Sequence, residues 1–299
     1  MKPLNSEPRK ELKSLMEEKG LSLSSVSRAL GISLTVLSQW LSNSYPGNVT
    51  KIDAAVKSFL ERQKERLKAS RKQTVFVMTS VAQKVFEVAR ICHLDEEIGV
   101  CYGHAGLGKT EAIKEYTRRN PDVLLIEADL GCTAKVVFAE IHKKLGMEGR
   151  GSIHDMFEDV ISKLRDSGRL IIADEAENLP YKALELLRRV HDKAGIGILL
   201  VGMPRLLSNL RGKKGEYAQL YSRVGIAGKL ESLRPQDTEK IILSAIPSSN
   251  GLWKTFHEAS NGNTRVLGKL LLRSVRVAEL NGVPVSPDII SQTARLLVI

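Results

Sequence analysis

One eight-residue segment constrains this chain more than any other: GHAGLGKT, Gly103–Thr110, which fits the pattern G-x-x-x-x-G-K-[ST]. It follows the apolar run IGVCY and opens a helical pattern, the strand–loop–helix context that the motif requires. Glycines let the backbone curl so that successive N–H groups face one concavity, and the start of the helix adds its positive dipole end. All eight residues, Gly103, His104, Ala105, Gly106, Leu107, Gly108, Lys109 and Thr110, are therefore expected around a phosphate chain. Lys109 supplies a point charge for the β- and γ-phosphates, and Thr110 a hydroxyl ligand for Mg2+. A second segment, LIIADEAE, sets Asp174 and Glu175 at the end of an apolar run. Two adjacent acids on a core strand are costly to bury unless a metal and water attend them. Asp174 then holds Mg2+, and Glu175 orients and polarises an attacking water. ATP and Mg2+ are the expected ligands, and hydrolysis to ADP and phosphate the expected reaction.

The flanking pattern agrees. Short apolar runs at Ile98–Tyr102, Val123–Ala128, Leu170–Ala173 and Ile196–Gly202 alternate with amphipathic helical stretches at Thr110–Asn120, Ala134–Leu145, Ser152–Asp166 and Lys182–Ala194. Such alternation predicts a parallel sheet covered by helices on both faces, over residues 75–230. Residues 1–60 read as short helices, with Gly31 breaking Ser24–Leu30 from Ser33–Leu41, the layout of a helix-turn-helix domain. Residues 61–74, ERQKERLKASRKQT, carry six Lys or Arg against two Glu and read as a solvated helix or charged linker. Residues 231–299 show only helical patterns, punctuated by Gly262, Pro284 and Pro287, and suggest a helical lid. Two arginines join the candidate site. Arg265, in SNGNTRVL at the start of a lid helix, is placed to reach a γ-phosphate. Arg223, in LYSRVG, is either a surface arginine or a finger for a neighbouring copy's nucleotide.

Charge and cysteine usage narrow the partners. The formal net charge of +11 attracts polyanions such as nucleic acid or anionic lipid. Three widely spaced cysteines, Cys92, Cys101 and Cys132, argue against a disulfide scaffold or a zinc site and for a reducing cytosol. The start MKPLNSEPRKELK has no apolar signal core, and the run Ile196–Met203 is too short to span a bilayer, so no membrane partner is expected.

With these residues placed, the chain resembles the AAA+ family and, more narrowly, the transposition protein B family of phage Mu and its prophage relatives. The narrower likeness rests on domain order and on KTEAIKEY, DEAENL and LYSR. It implies an α/β P-loop (AAA+) core with an N-terminal all-α helix-turn-helix domain and a C-terminal helical lid. It also implies a cytoplasmic protein of a bacterial host cell. Such proteins bind double-stranded DNA with little sequence preference when loaded with ATP and assemble on it as helical oligomers. They deliver target DNA to a transposase and stimulate strand transfer, with hydrolysis controlling release. One departure stands out: where AAA+ proteins carry a polar side chain after the fourth core strand, this chain reads LLVGMPRL, with Gly202, Met203 and Pro204. Slow intrinsic hydrolysis is the expected consequence.

For DNA, the recognition-helix candidate SLTVLSQWL holds no Lys or Arg, the residues that most often read guanine, which disfavours strong sequence readout. Arg28 is a candidate phosphate partner beside it. Arg150 in GMEGRGS, Arg211, Lys213 and Lys214 in LRGKKGEY, and Lys269 and Arg273 on one face of a C-terminal helix are further candidates, each equally readable as a solvated surface charge. Two competing readings remain: a nucleotide-switched helix-turn-helix regulator, and an AAA+ replication loader. Beyond Asp174 and Glu175 no carboxylate triad is evident, so the chain itself is not expected to cut or join DNA.

Overall fold

In the computed structural model, residues 7–71, 75–212, 217–249 and 251–297 are described, with the backbone alone for 65–71 and 218. The chain divides into two units, residues 1–73 and 74–299.

Among its described residues the first unit has four helices: α1 (Glu7–Lys19), α2 (Leu23–Leu30), α3 (Leu34–Leu41) and α4 (Val49–Arg71). Ser22 and Ser33 cap α2 and α3 by accepting the N–H groups of Ser25 and Val36. Gly31, at φ 67°, makes the turn between them, a left-handed conformation that a side chain would disfavour. Leu12, Val26, Leu37, Trp40, Val56 and Phe59 form its core. Buried Trp40 donates to Asp53 (2.9 Å), and the Arg9 guanidinium stacks on its ring. The basic stretch at 61–71 continues α4 as one 23-residue helix.

The second unit starts with α5 (Ser80–Leu94). It then alternates β1 (Ile98–Tyr102), α6 (Lys109–Arg119), β2 (Val123–Glu127), α7 (Ala134–Lys144), α8 (Ile153–Leu164) and β3 (Leu170–Asp174). After a 3-10 turn at Ala176–Asn178 come α9 (Tyr181–Ala194), β4 (Gly197–Gly202), α10 (Arg205–Arg211), α11 (Ala218–Tyr221) and β5 (Val224–Lys229). Four helices close the chain: α12 (Pro235–Ala245), α13 (Trp253–Ser260), α14 (Thr264–Asn281) and α15 (Pro287–Arg295). The five strands pair in the order β2-β3-β4-β1-β5, every neighbour parallel.

Alternation along each strand explains why both faces are covered. Ile98, Val100, Leu124, Ile126, Ile171, Ala173, Ile198 and Leu200 bury against α7, α8 and α9. Cys101, Val123, Leu170, Ile172, Leu199 and Val201 bury on the other side with α5, α6 and the C-terminal helices, through Ile242, Phe256, Leu267 and Ile290. Burial also pushes the Cys92 and Cys101 thiols up to about 12. The unpredicted strand, β5, reads VGIAGK. It lies at the sheet edge with half its positions outward, so it lacks the continuous apolar run that marks its neighbours. No described helix is long and apolar enough to cross a membrane.

Candidate nucleotide site

β1, β3 and β4 all end at one edge of the sheet, and the loops that leave them meet there. In an open parallel sheet the crevice beyond the carboxyl ends of the strands is where ligands bind. The loop after β1 turns through Gly106 (φ 81°) and Gly108 (φ 88°) into α6. A Cβ on Gly106 would collide with the Asn263 side chain, so this close approach needs glycine. A cavity of about 520 Å3 opens over this edge. It is lined by the loop from Ala105 to Thr110, by Asp174, Glu175, Glu177 and Asn178 after β3, by Gly202, Met203 and Arg205 after β4, and by Thr264 and Arg265.

Lys109 Nζ donates to the carbonyls of Gly103 and His104, each at 2.8 Å, so these two residues shape the loop from outside the cavity lining. Burial pulls the Lys109 ammonium below its ordinary pKa, and Glu177 and Asp174 oppose that shift. Thr110 Oγ1 donates to Asp174 Oδ2 at 2.7 Å, which joins the helix start to the end of β3. Asp174 is 3% exposed, and its Oδ1 accepts the Glu175 N–H at 2.9 Å. Glu175 adopts φ 50°, ψ 36°, a left-handed conformation unusual for a side-chain-bearing residue.

The lid reaches the loop directly. Asn263 Oδ1 caps α14 by accepting the N–H groups of Arg265 (3.0 Å) and Val266 (3.1 Å), while its Nδ2 donates to Ala105 O at 3.4 Å. The Arg265 N–H also faces Gly106 O at 3.2 Å. Thr264 Oγ1 is buried beside Gly108 without a hydrogen-bond partner. An unsatisfied hydroxyl, a half-buried lysine and two positive-φ glycines around one helix N-terminus fit a phosphate chain. Asp174 with Thr110 fits a hard divalent cation that takes its other ligands from water and phosphate. Among the described residues no group of three or more His, Cys, Asp or Glu forms a cage of its own for a metal.

The other expected residues lie elsewhere. Arg223 is exposed and pairs with Asp192 (3.3 Å), away from the cavity lining. Arg211 donates to the Tyr221 hydroxyl at 2.6 Å and stacks on its ring. Arg28 is exposed on α2 and donates to Ser24 O. Arg150 is exposed in the loop after α7, and Lys269 and Arg273 are exposed on α14. Lys213 and Lys214 lie outside the described residues. The structure adds Glu177, Asn178, Arg205 and Asn263 to the site. All four sit within segments already noted, DEAEN, GMPRL and NGNTR, and only tertiary convergence gives them a role.

Residues 92–210 match the AAA domain family. The chain is 27% identical over 236 residues to the Mu-like prophage FluMu DNA transposition protein B of Haemophilus influenzae, covering 77% of this chain and 82% of the relative. It is 26% identical over 298 residues to the ATP-dependent target DNA activator B of Escherichia phage D108, covering 98% and 95%. In three dimensions it is similar to the ORC2 protein of Aeropyrum pernix, with TM-score 0.57, 18% identity, and 75% and 68% of the two chains covered, a likeness of fold alone. The chain thus carries an AAA domain at its centre, and along most of its length it is similar to the transposition protein B and target DNA activator B proteins of phage Mu and its relatives.

Proposed function

We propose that this chain is a DNA-transposition ATPase. Loaded with ATP, it grips double-stranded DNA with little sequence preference and assembles along it as a helical oligomer. It presents that DNA to a transposase, stimulates strand transfer, and lets go on hydrolysis. The observation that carries this reading is the convergence of the glycine loop, Asp174, Glu175 and Arg265 on one cavity, in a chain whose relatives are named ATP-dependent target DNA activators.

In this reading the loop amides, Lys109 and the N-terminus of α6 bind the phosphates. Thr110 and Asp174 hold Mg2+, which supplies charge neutralisation on the phosphate oxygens. Glu175, fixed by its backbone and by Asp174, orients water and takes its proton. Arg265 adds positive charge from the lid, and Arg223, exposed on its own subunit, serves a neighbouring copy. The apolar side chain of Met203 leaves turnover slow until DNA and transposase are present. Backbone contacts from Arg28, Arg150, Arg211, Lys213, Lys214, Lys269 and Arg273 make DNA affinity fall steeply with salt. The N-terminal unit, the basic end of α4, the core and the lid divide this work among residues 1–60, 61–74, 75–230 and 231–299. The setting is the cytoplasm of a bacterial host.

Electron microscopy of the pure protein on random DNA tests the proposal. Filaments are expected with ATP and not with ADP, and Glu175→Gln is expected to lock them in place. Equal coating of DNA with and without nucleotide would overturn it.

A further inference from the structure

Three side chains on the cavity wall form a relay that ends on Glu175. Asn178 donates through Nδ2 to Glu175 Oε2 at 3.2 Å and to Ala128 O at 3.1 Å. Its Oδ1 accepts from the Arg205 guanidinium at 2.9 Å. An amide has a donating end and an accepting end. Here two acceptors face the first and a cation faces the second, so the group cannot flip without losing partners at both ends. Arg205 is tied in turn to Glu177, whose side chain is 5% exposed and lies 3.9 Å from the guanidinium. Glu177 Oε2 accepts the Met203 N–H at 3.0 Å, and its backbone carbonyl accepts from Asn209 Nδ2 at 3.0 Å. A buried carboxylate requires such donors and a nearby cation. Gly202 is needed beside it, because a Cβ there would collide with the Glu177 carboxylate.

We propose that Arg205 senses the anionic occupant of the cavity, and that Asn178 carries that state to Glu175. This rests on the assignment of Glu175 as the residue that orients water. Arg205 is on the first turn of α10, its side chain 62% exposed, on the same lining as Lys109 and Arg265. Guanidinium binds phosphate in bidentate geometry and more strongly than it binds a neutral amide oxygen. A triphosphate that draws Arg205 weakens its hold on Asn178 Oδ1, and the grip of Nδ2 on Glu175 changes with it. Arg205 then supplies the polar function that Met203 lacks, from two residues further along. Arg205 and Asn178 are positioning residues for Glu175, with Glu177 as the buried counter-anion that keeps Arg205 at its post.

Full-length wild type, Arg205→Ala, Arg205→Lys, Asn178→Ala and the Ala/Ala double variant separate the possibilities. Steady-state ATPase on duplex DNA and equilibrium binding of a fluorescent ATP and a fluorescent ADP are the readouts. Arg205→Ala and Asn178→Ala are each expected to lower kcat about 100-fold, the scale of losing one aligned group in an active site. ATP affinity should stay within about threefold in both: Asn178→Ala leaves uniform binding untouched, and Arg205→Ala gives up only one solvent-exposed contact to the triphosphate. The double variant should be no slower than the slower single, because the two residues act in one chain. Arg205→Lys should recover part of kcat, and Arg205→Ala should narrow the preference for ATP over ADP. Wild-type kcat in either single variant, multiplicative losses in the double, or a defect confined to ATP affinity overturns the relay. If wild type binds ATP without hydrolysing it, or Glu175→Gln turns over normally, the assignment of Glu175 fails and the relay falls with it. If Glu175→Gln is dead while Arg205→Ala and Asn178→Ala are fully active, only the relay fails.

Discussion

The edge above β1, β3 and β4 and the α2–α3 pair are both places where helix N-termini meet solvent, and they differ in what surrounds those termini. Over the sheet edge, residues from Ala105 to Arg265 are drawn into one cavity that holds Lys109, Arg205 and Arg265 among Asp174, Glu175 and Glu177. In the α2–α3 pair, Ser22 and Ser33 close the termini locally, and α3 offers Leu34, Thr35 and Ser38 outward with no cation. Its larger side chains, Leu37 and Trp40, point into their own core. A helix terminus becomes a site when distant parts of the chain deliver charge to it. When its own cap satisfies it, the same element is a structural module.

That contrast can be broken most severely at Lys109. Lys109→Ala is expected to remove measurable binding of a fluorescent ATP analogue and, with it, ATP-dependent retention of DNA on a filter. Retention at the wild-type level would mean that the cavity does not govern DNA. A smaller effect separates the two units. Leu37→Ala deletes a fully buried side chain from the four-helix core and should cost about 2–5 kcal/mol there, seen as an early melting transition. ATP binding by the second unit is expected to persist in the same sample, and its loss would show that the comparison divides what is one cooperative body. The smallest effect is expected on α3. Ser38→Ala with Gln39→Ala should change affinity for random duplexes by less than about twofold, since phosphate contacts by Lys and Arg carry non-specific binding. Loss of a preferred sequence in a selection from random oligonucleotides would instead make α3 a reader of bases.

The two regions also differ in how far the sequence disclosed them. GHAGLGKT and LIIADEAE carried the loop, the acids and their strands because their spacing is fixed by local backbone geometry. The runs at 98–102, 123–128, 170–173 and 196–202 reappear as β1 to β4 because strands covered on both faces need continuous apolar residues. The edge strand β5 has no such need and left no run to read. Glu177, Asn178 and Arg205 were invisible as a group for a different reason. Nothing in DEAEN or GMPRL shows that Met203 N–H would fall on a carboxylate 26 residues earlier. The lack of a polar side chain at Met203 was legible, and the presence of Arg205 on the cavity lining two residues later was not. Arg223 and Arg211 were visible as charges, but their holds on Asp192 and Tyr221 depend on how α9, α10 and α11 pack.

On the role proposed for Glu175, its left-handed backbone sets stability against chemistry at a single position. A residue with a Cβ held there costs on the order of 1 kcal/mol relative to glycine. Glu175→Gly should therefore melt slightly later than the natural chain while losing turnover altogether. A screen for heat-resistant variants would reward that substitution and discard the reaction.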